Sequence, residues 1–355
     1  MIRAEYLQTL EACERGEDLS AEDLALLLTT TEEEEIEALF QAADRVRRRY
    51  VGDEVHLRGI VEISNICVQN CLYCGLRKDN RGLRRYRMTE GEIVTSAQEV
   101  KTRGLRTVVL QSGEDPWFTR ERLSSVIRRI RDETALTITL SVGERSESEY
   151  RVWRESGADR YLLKHETSSA ALFSTLRPGR TLRERLKALM TLRELGYEVG
   201  SGNMVGLPGQ GEEDLVRDLL LFRKWDFDMI GVGPFIPHPQ TPLARAAAGS
   251  LPLTLKVLAL TRLMTRNSNL PATTASGVLD PEGRRKALLA GANVVMPDFT
   301  PKEYRDRYEI YPGRTKPGGG LDSVLDLLHS LGRKVSQTSG YRSRRGGSGR
   351  SGQAG

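Results

Sequence analysis

Asn65-Ile-Cys-Val-Gln-Asn-Cys-Leu-Tyr-Cys-Gly75 carries three cysteines, Cys67, Cys71 and Cys74, in a C-x3-C-x2-C spacing. Residues 57–63, just before it, read as a buried strand that delivers the loop. Three thiolates can hold three irons of a 4Fe–4S cube, which leaves the fourth iron open to a small molecule. Two blander uses of cysteine compete with this reading. Structural zinc wants paired Cys-x2-Cys units or Cys/His clusters. The remaining cysteine, Cys13, lies in an N-terminal helical pattern, and no nearby histidine completes a tetrahedral set. A disulfide would leave an odd thiol inside the cluster.

Outward from this loop the chain alternates. Strand candidates fall at 57–63, 106–111, 136–141, 160–165, 198–205, 228–232, 270–274 and 293–297. Amphipathic stretches separate them at 89–103, 119–132, 146–156, 181–195, 212–225, 252–265 and 281–290. Crossovers of that length permit parallel pairing, so the pattern predicts an α/β fold, a complete (β/α)8 TIM-type barrel. An open doubly wound sheet is the alternative. The expected organisation is an N-terminal helical extension over 1–50, the barrel over 51–311, a C-terminal extension over 312–335 and a disordered basic tail over 336–355. The glycine-rich stretch 312–320 is the best candidate break. In the N-terminal extension, Thr31 and Glu34 suggest a capping box, as do Thr89 and Glu92 later in the chain. Ile36, Leu39, Phe40, Ala43 and Val46 then mark one buried helix face, with Arg47, Arg48 and Arg49 at a solvated helix end.

The bulk composition agrees. A chain of 355 residues fits one barrel of about 250 residues plus extensions. No apolar run approaches the length of about 18 residues that suggests a membrane span, and the first residues lack the apolar core of a signal peptide. Four cysteines in such a chain argue against a secreted disulfide scaffold, so a reducing, cytoplasmic setting is expected. Net charge is +5, but Arg342, Arg344, Arg345 and Arg350 of the tail supply four of those charges. Nucleic-acid binding by the folded part is therefore not expected.

Polar and glycine-rich motifs gather where the predicted strands end, which is where barrel enzymes place their active sites. The cysteine spacing resembles the signature of radical S-adenosylmethionine (SAM) enzymes. That resemblance implies a cube that chelates the methionine part of SAM and passes it an electron, giving a 5′-deoxyadenosyl radical. Ser112 and Glu114 stand in a strand-end loop like the one that holds the SAM ammonium in this superfamily; a plain polar turn would look similar. Glu166 ends strand four, where a carboxylate can accept from ribose hydroxyls or the ammonium. Arg185, on the following helix, can pair with the methionine carboxylate, although many surface arginines surround it. Gly206-Leu-Pro-Gly209 resembles a loop packed near adenine. His165 and His238 sit near strand ends and read most simply as hydrogen-bonded structural groups.

Longer segments narrow the resemblance. Tyr50-Val-Gly-Asp-Glu-Val-His56, Cys71-Leu-Tyr-Cys-Gly-Leu-Arg77, Arg85-Tyr-Arg-Met88, Val109-Leu-Gln-Ser-Gly-Glu-Asp-Pro116, Ala158-Asp-Arg-Tyr-Leu-Leu163, Met204-Val-Gly-Leu-Pro-Gly-Gln210 and Gly233-Pro-Phe-Ile-Pro-His-Pro239 look like the HydE family. Those are the radical SAM maturases of FeFe-hydrogenase. The similarity runs from about residue 5 to residue 335. It implies that Cys67, Cys71 and Cys74 bind the cluster, that Glu166 and Arg185 bind SAM, and that Ser141 faces the substrate. By the same resemblance, Arg160, Thr273, Thr274, Met229, Met296 and Tyr308 line a cavity below SAM. The implied role is assembly of the di-iron subcluster of the hydrogenase H-cluster from an iron–cysteine–CO–cyanide precursor, with radical attack on the precursor's sulfur. The implied partners are other hydrogenase maturases and an electron donor such as ferredoxin or flavodoxin, with no membrane partner. Some members carry a second iron–sulfur site on C-terminal cysteines. Here no cysteine follows Cys74, so one cluster is expected and a second cysteine-ligated one is not.

Three other functions remain open at this point. Methylornithine synthase, the lysine mutase of pyrrolysine biosynthesis, is built on a similar barrel, and Arg160 could serve either substrate. Biotin synthase-like sulfur insertion would want a second cluster as sulfur donor. A non-catalytic iron–sulfur or electron-transfer protein would want a fourth protein ligand, and Cys13 is the one candidate.

Overall fold

Short runs of buried apolar residues form the strands, and crossover helices long enough to return the chain make the neighbours parallel. The computed structural model, which describes residues 1–313 and 320–342, contains β1 (Glu54–Ser64), β2 (Thr107–Ser112), β3 (Thr137–Ser141), β4 (Arg160–Leu162), β5 (Glu198–Val205), β6 (Met229–Pro234), β7 (Val294–Val295) and β8 (Lys334–Val335). Seven of these pair in the order β6-β5-β4-β3-β2-β1-β7, while β8 pairs with the start of β1. The result is an α/β half-barrel close to the TIM type, with helices outside and strand ends converging on one face.

The ladder does not close between β6 and β7, which departs from the expected eight-strand count. Residues 269–271 lie there and make only single bridges, Asn269 to Met229 and Pro271 to Val294. Pro271 has no N–H to give a ladder. Thr273 then stands as the N-cap of the helix Thr274–Leu279, so the expected strand over 270–274 is cut short.

Three helices, Ala4–Arg15, Ala21–Thr29 and Glu33–Tyr50, cover the outer side of the helix Leu251–Thr265. That helix is buried on almost every face, which accounts for its apolar sequence. The capping box at Thr89 and Glu92 forms. The one expected at Thr31 and Glu34 does not: Glu32 is the N-cap and gives no side-chain bond. Instead Glu35 turns inward, accepting from Arg3 and Thr30 and tying the first helix to the third. Arg47 also departs from the solvated helix end. It is buried and paired with Asp44 and Asp53.

The expectation of disorder from residue 336 onward fails for 336–342. The Ser339 carbonyl accepts from Arg160 at 2.9 Å and the Gly340 carbonyl from Asn269 at 3.0 Å. Arg342 donates to Asn267 and to Asp226. The segment thus closes the N-terminal end of the barrel, opposite the cysteine loop. The rest of the expected tail, 343–355, and most of the glycine-rich break, 314–319, lie outside the described residues. Among the described residues no helix is long and apolar enough to cross a membrane.

Candidate active site at the cysteine loop

β1 ends at Ser64 and releases the loop that carries the cysteines. Its shape is set largely by one side chain. Arg85 donates to the carbonyls of Asn65, Leu76, Arg77 and Asn80, which bracket the loop on both sides. Asn65 returns bonds to Arg84 and Arg307 carbonyls. Hydrogen bonds from a charged donor contribute roughly 1.5–3 kcal/mol each, so Arg85 is the chief organiser of this loop. Arg85→Ala should leave the barrel folded but loosen the loop. Iron retained after anaerobic reconstitution and gel filtration is expected to fall below half of the wild-type content; full retention would show that the loop orders itself without Arg85.

Two glycines let other segments press against the loop. A Cβ on Gly113 would meet the Ile66 carbonyl at 2.3 Å and the Cys67 Cβ at 2.8 Å. One on Gly75 would meet the Glu309 carbonyl at 2.1 Å and the His238 ring at 2.6 Å. The close approach at Gly113 brings the Glu114 N–H to 3.4 Å from Cys67 Sγ, which also accepts from the Gln69 N–H at 3.4 Å.

The three thiols face one cavity of about 280 Å³. Ser112, Glu114, Ser141, Glu166, Arg185 and Tyr308 line the same cavity, so the fold brings the cysteine loop together with residues from the ends of β2, β3 and β4, from the helix Leu182–Glu194 and from the segment after Lys302–Arg305. A second cavity of about 300 Å³ adjoins it through Tyr73, Cys74, Gln111, Lys164 and Glu166. Thr273, Thr274 and Met296 line that one, with apolar walls from Ile60, Leu162, Met204 and Phe235.

Arg160 and Met229 lie in neither cavity, contrary to expectation. Each is the first residue of its strand, so each sits at the opposite end of the barrel. Arg160 pairs with Glu198 at 2.5 Å and donates to the Ser339 carbonyl. The Met229 sulfur accepts from Arg58 at 3.1 Å. Sequence alone marks a strand but not which end of it a family match will face.

Glu166 has φ +68°, in the left-handed region that few non-glycine residues adopt. Its N–H donates to the Gly202 carbonyl and its carbonyl accepts from the Met204 N–H, so β5 holds it there. This turn aims the carboxylate at both cavities, 3.6 Å from Lys164 Nζ. Arg185 follows the Thr181–Glu184 capping box in the helix Leu182–Glu194. It is almost fully buried and donates to Glu144 and to the Lys164 carbonyl. Glu114 is more engaged than its sequence position suggested. It accepts from Gln69 at 2.5 Å and from the Glu144 N–H at 3.2 Å. Neighbouring Asp115 is locked by both Arg87 nitrogens and by Ser64.

Gln69, Glu144, Arg177 and Lys164 are site residues that sequence reasoning missed. Gln69 stood inside the cysteine motif and could have been flagged. The two charged side chains at 144 and 177 had no local signal, because their partners come from other strands. The histidines keep structural roles: His165 is buried between Ser201 and Asp218, and His238 Nδ1 accepts from the Gln240 N–H.

The thiols suit a cluster better than a single ion. Among the described residues no three His, Cys, Asp or Glu side chains converge on a one-ion site. A cube distributes its cysteines over separate irons. Burial pushes the Cys67 thiol up to about 11 and raises Cys71 and Cys74 as well. Holding thiolates there requires positive charge, from iron and from the buried Arg177 and Arg185. Cys13 is buried in the helix Ala4–Arg15, so it is no fourth ligand to this loop.

Comparison with known proteins agrees with this geometry. The Radical SAM superfamily model matches residues 61–222. The chain is 49% identical over 341 residues to the [FeFe] hydrogenase maturase subunit HydE of Thermotoga maritima, covering 95% of this chain and 97% of that protein. It is 32% identical over 282 residues to a 3-methylornithine synthase of Methanosarcina acetivorans, covering 79% of each. The crystal structure of methylornithine synthase (PylB) superposes with a TM-score of 0.83 at 28% identity, over 92% of this chain and 97% of that one.

Proposed function

The chain belongs to the HydE family of radical SAM enzymes, and on that premise we propose that it acts in assembling the di-iron subcluster of FeFe-hydrogenase. The observation that carries this reading is the joining of three thiols, Glu166 and Arg185 in one cavity, in a chain 49% identical to a HydE maturase. Cys67, Cys71 and Cys74 would hold a single 4Fe–4S cluster with one open iron. When bound and reduced, that cluster supplies the electron that splits SAM into methionine and a 5′-deoxyadenosyl radical.

The protein's own work is binding, orientation and exclusion of water. Arg185 already spends two nitrogens on Glu144 and the Lys164 carbonyl. Its remaining edge is the one available to a methionine carboxylate. Ser112 and Glu114, which line the thiol cavity, would receive the ammonium, the Glu114 carboxylate doing so while it accepts from Gln69 and the Glu144 N–H. Glu166 would take the ribose hydroxyls. Ser141, Tyr308, Thr273, Thr274 and Met296 would contact an organometallic iron–cysteine–CO–cyanide substrate, and the apolar walls would keep water from the radical. Residues 269–272, bonded to both β6 and β7, would stand in for the missing strand of a complete barrel. A ferredoxin or flavodoxin would deliver electrons, other hydrogenase maturases would supply and receive the iron fragment, and the setting would be the cytoplasm.

Anaerobic turnover with the iron–cysteine precursor and, in parallel, with lysine tests the choice of substrate. Consumption of the precursor with formation of 5′-deoxyadenosine is expected; methylornithine from lysine would replace this reading with that of the 32% identical relatives. Iron content tests the cluster number. With no cysteine after Cys74, about four irons per chain are expected, and about eight would reveal a second cluster.

A further inference from the structure

Arg177 is the buried charge that the site leaves incompletely used. It is only 7% exposed, yet its Nε and Nη2 have no hydrogen-bond partner. Nη1 reaches Tyr73 Oη at 3.3 Å. The nearest carboxylate, Glu114, lies 3.5 Å from Nη2 and already accepts from Gln69 and the Glu144 N–H. A buried guanidinium seldom leaves donors unmet, because their desolvation is then uncompensated.

Its placement is rigid. Arg177 caps the helix Ala170–Leu176 and precedes Pro178, which disfavours the helical conformation at 177 and turns its side chain inward. The Leu72 N–H donates to the Leu176 carbonyl at 2.9 Å, tying this cap to the cysteine loop between Cys71 and Cys74. Arg177 lines the same cavity as the three thiols. Its guanidinium therefore stands as a fixed positive charge in the wall of the thiol cavity.

We propose that Arg177 is a redox-tuning residue: its buried guanidinium, fixed in the wall of the cavity that the three thiols line, favours the added negative charge of a reduced cluster. This rests on the cluster reading above. Reduction adds one electron, taken from a low-potential one-electron donor, and so one negative charge to the cluster. A fixed guanidinium stabilises that extra charge, and the charge around a cluster is a recognised control of its potential. The methionine carboxylate of SAM is a competing acceptor, and the test separates the two.

The protein is reconstituted anaerobically, its iron counted, and the cluster titrated with dithionite by EPR without SAM. Arg177→Gln is expected to lower the reduced-to-oxidised ratio at a given potential at least tenfold, equal to about 59 mV for a one-electron couple. Arg177→Lys, which keeps the charge, should lower it about threefold, and SAM affinity should stay within threefold in both. A ratio equal to wild type in a variant that retains its irons overturns the proposal, and more so if SAM affinity falls tenfold, which would assign Arg177 to the carboxylate. If Arg177→Gln fails to hold iron, Arg177→Lys decides alone by the same criterion. A wild-type protein that holds no iron would instead overturn the cluster reading.

Discussion

Cys71→Ala is expected to strip the protein of its cluster and to reduce 5′-deoxyadenosine formation to the level of a no-enzyme control. Cys71 is the middle thiol of the loop and is 7% exposed. A cube held by three protein thiolates has no spare ligand, so losing one leaves two irons without protein ligands. The remaining cysteine, Cys13, is buried in the helix Ala4–Arg15, so no other thiol stands by to replace it. The fold should survive, because the loop lies outside the strand ladders and a buried Cys-to-Ala change costs only about 1 kcal/mol. Circular dichroism and thermal melting would verify that. Cys13→Ala is the paired control. Cys13 packs in the N-terminal helices, so that variant should keep its irons and its SAM cleavage. Loss of iron from Cys13→Ala, with retention in Cys71→Ala, would reverse the assignment.

Glu166→Gly should separate stability from function. A non-glycine residue at φ +68° carries strain of order 1–3 kcal/mol, which glycine removes. Glycine also loses more chain entropy on folding, about 0.5–1 kcal/mol. The melting temperature is therefore expected to stay level or rise. SAM binding should weaken, because a charge-assisted hydrogen bond contributes roughly 1.5–3 kcal/mol, about 10- to 150-fold in affinity. Glu166→Gln should fall in between, and iron content should not change in either. A Gly variant that melts higher and binds SAM as well as wild type would make Glu166 a structural turn residue.

The parts of this site that were legible in the sequence are those written locally or in matching motifs. The cysteine spacing is written within eight residues, Glu166 stands at a strand end and Arg185 on the helix that follows, and all of them line one cavity. Glu144, Arg177 and Arg85 were not legible. Their partners are Arg185 across the barrel mouth, Tyr73 and Glu114 from two other loops, and a set of backbone carbonyls, none of which leaves a periodic trace among so many arginines. Arg160 and Met229 were misplaced because a motif match does not say that the residue begins its strand. The strand expected over 270–274 failed at Pro271, where an apolar run lacks the donor a ladder needs. The segment 336–342 looked too polar to order, but its carbonyls meet donors from Arg160 and Asn269 at the barrel floor. Composition counts apolar area and does not register buried donors waiting for a backbone acceptor.

The central claim is that Cys67, Cys71 and Cys74 hold one cube whose open iron binds SAM. EPR of the anaerobically reconstituted, dithionite-reduced protein, with and without SAM and alongside an iron count, tests it most directly. The expected result is about four irons per chain and a spectrum that changes shape on adding SAM. A spectrum indifferent to SAM in protein that carries its full iron would contradict it.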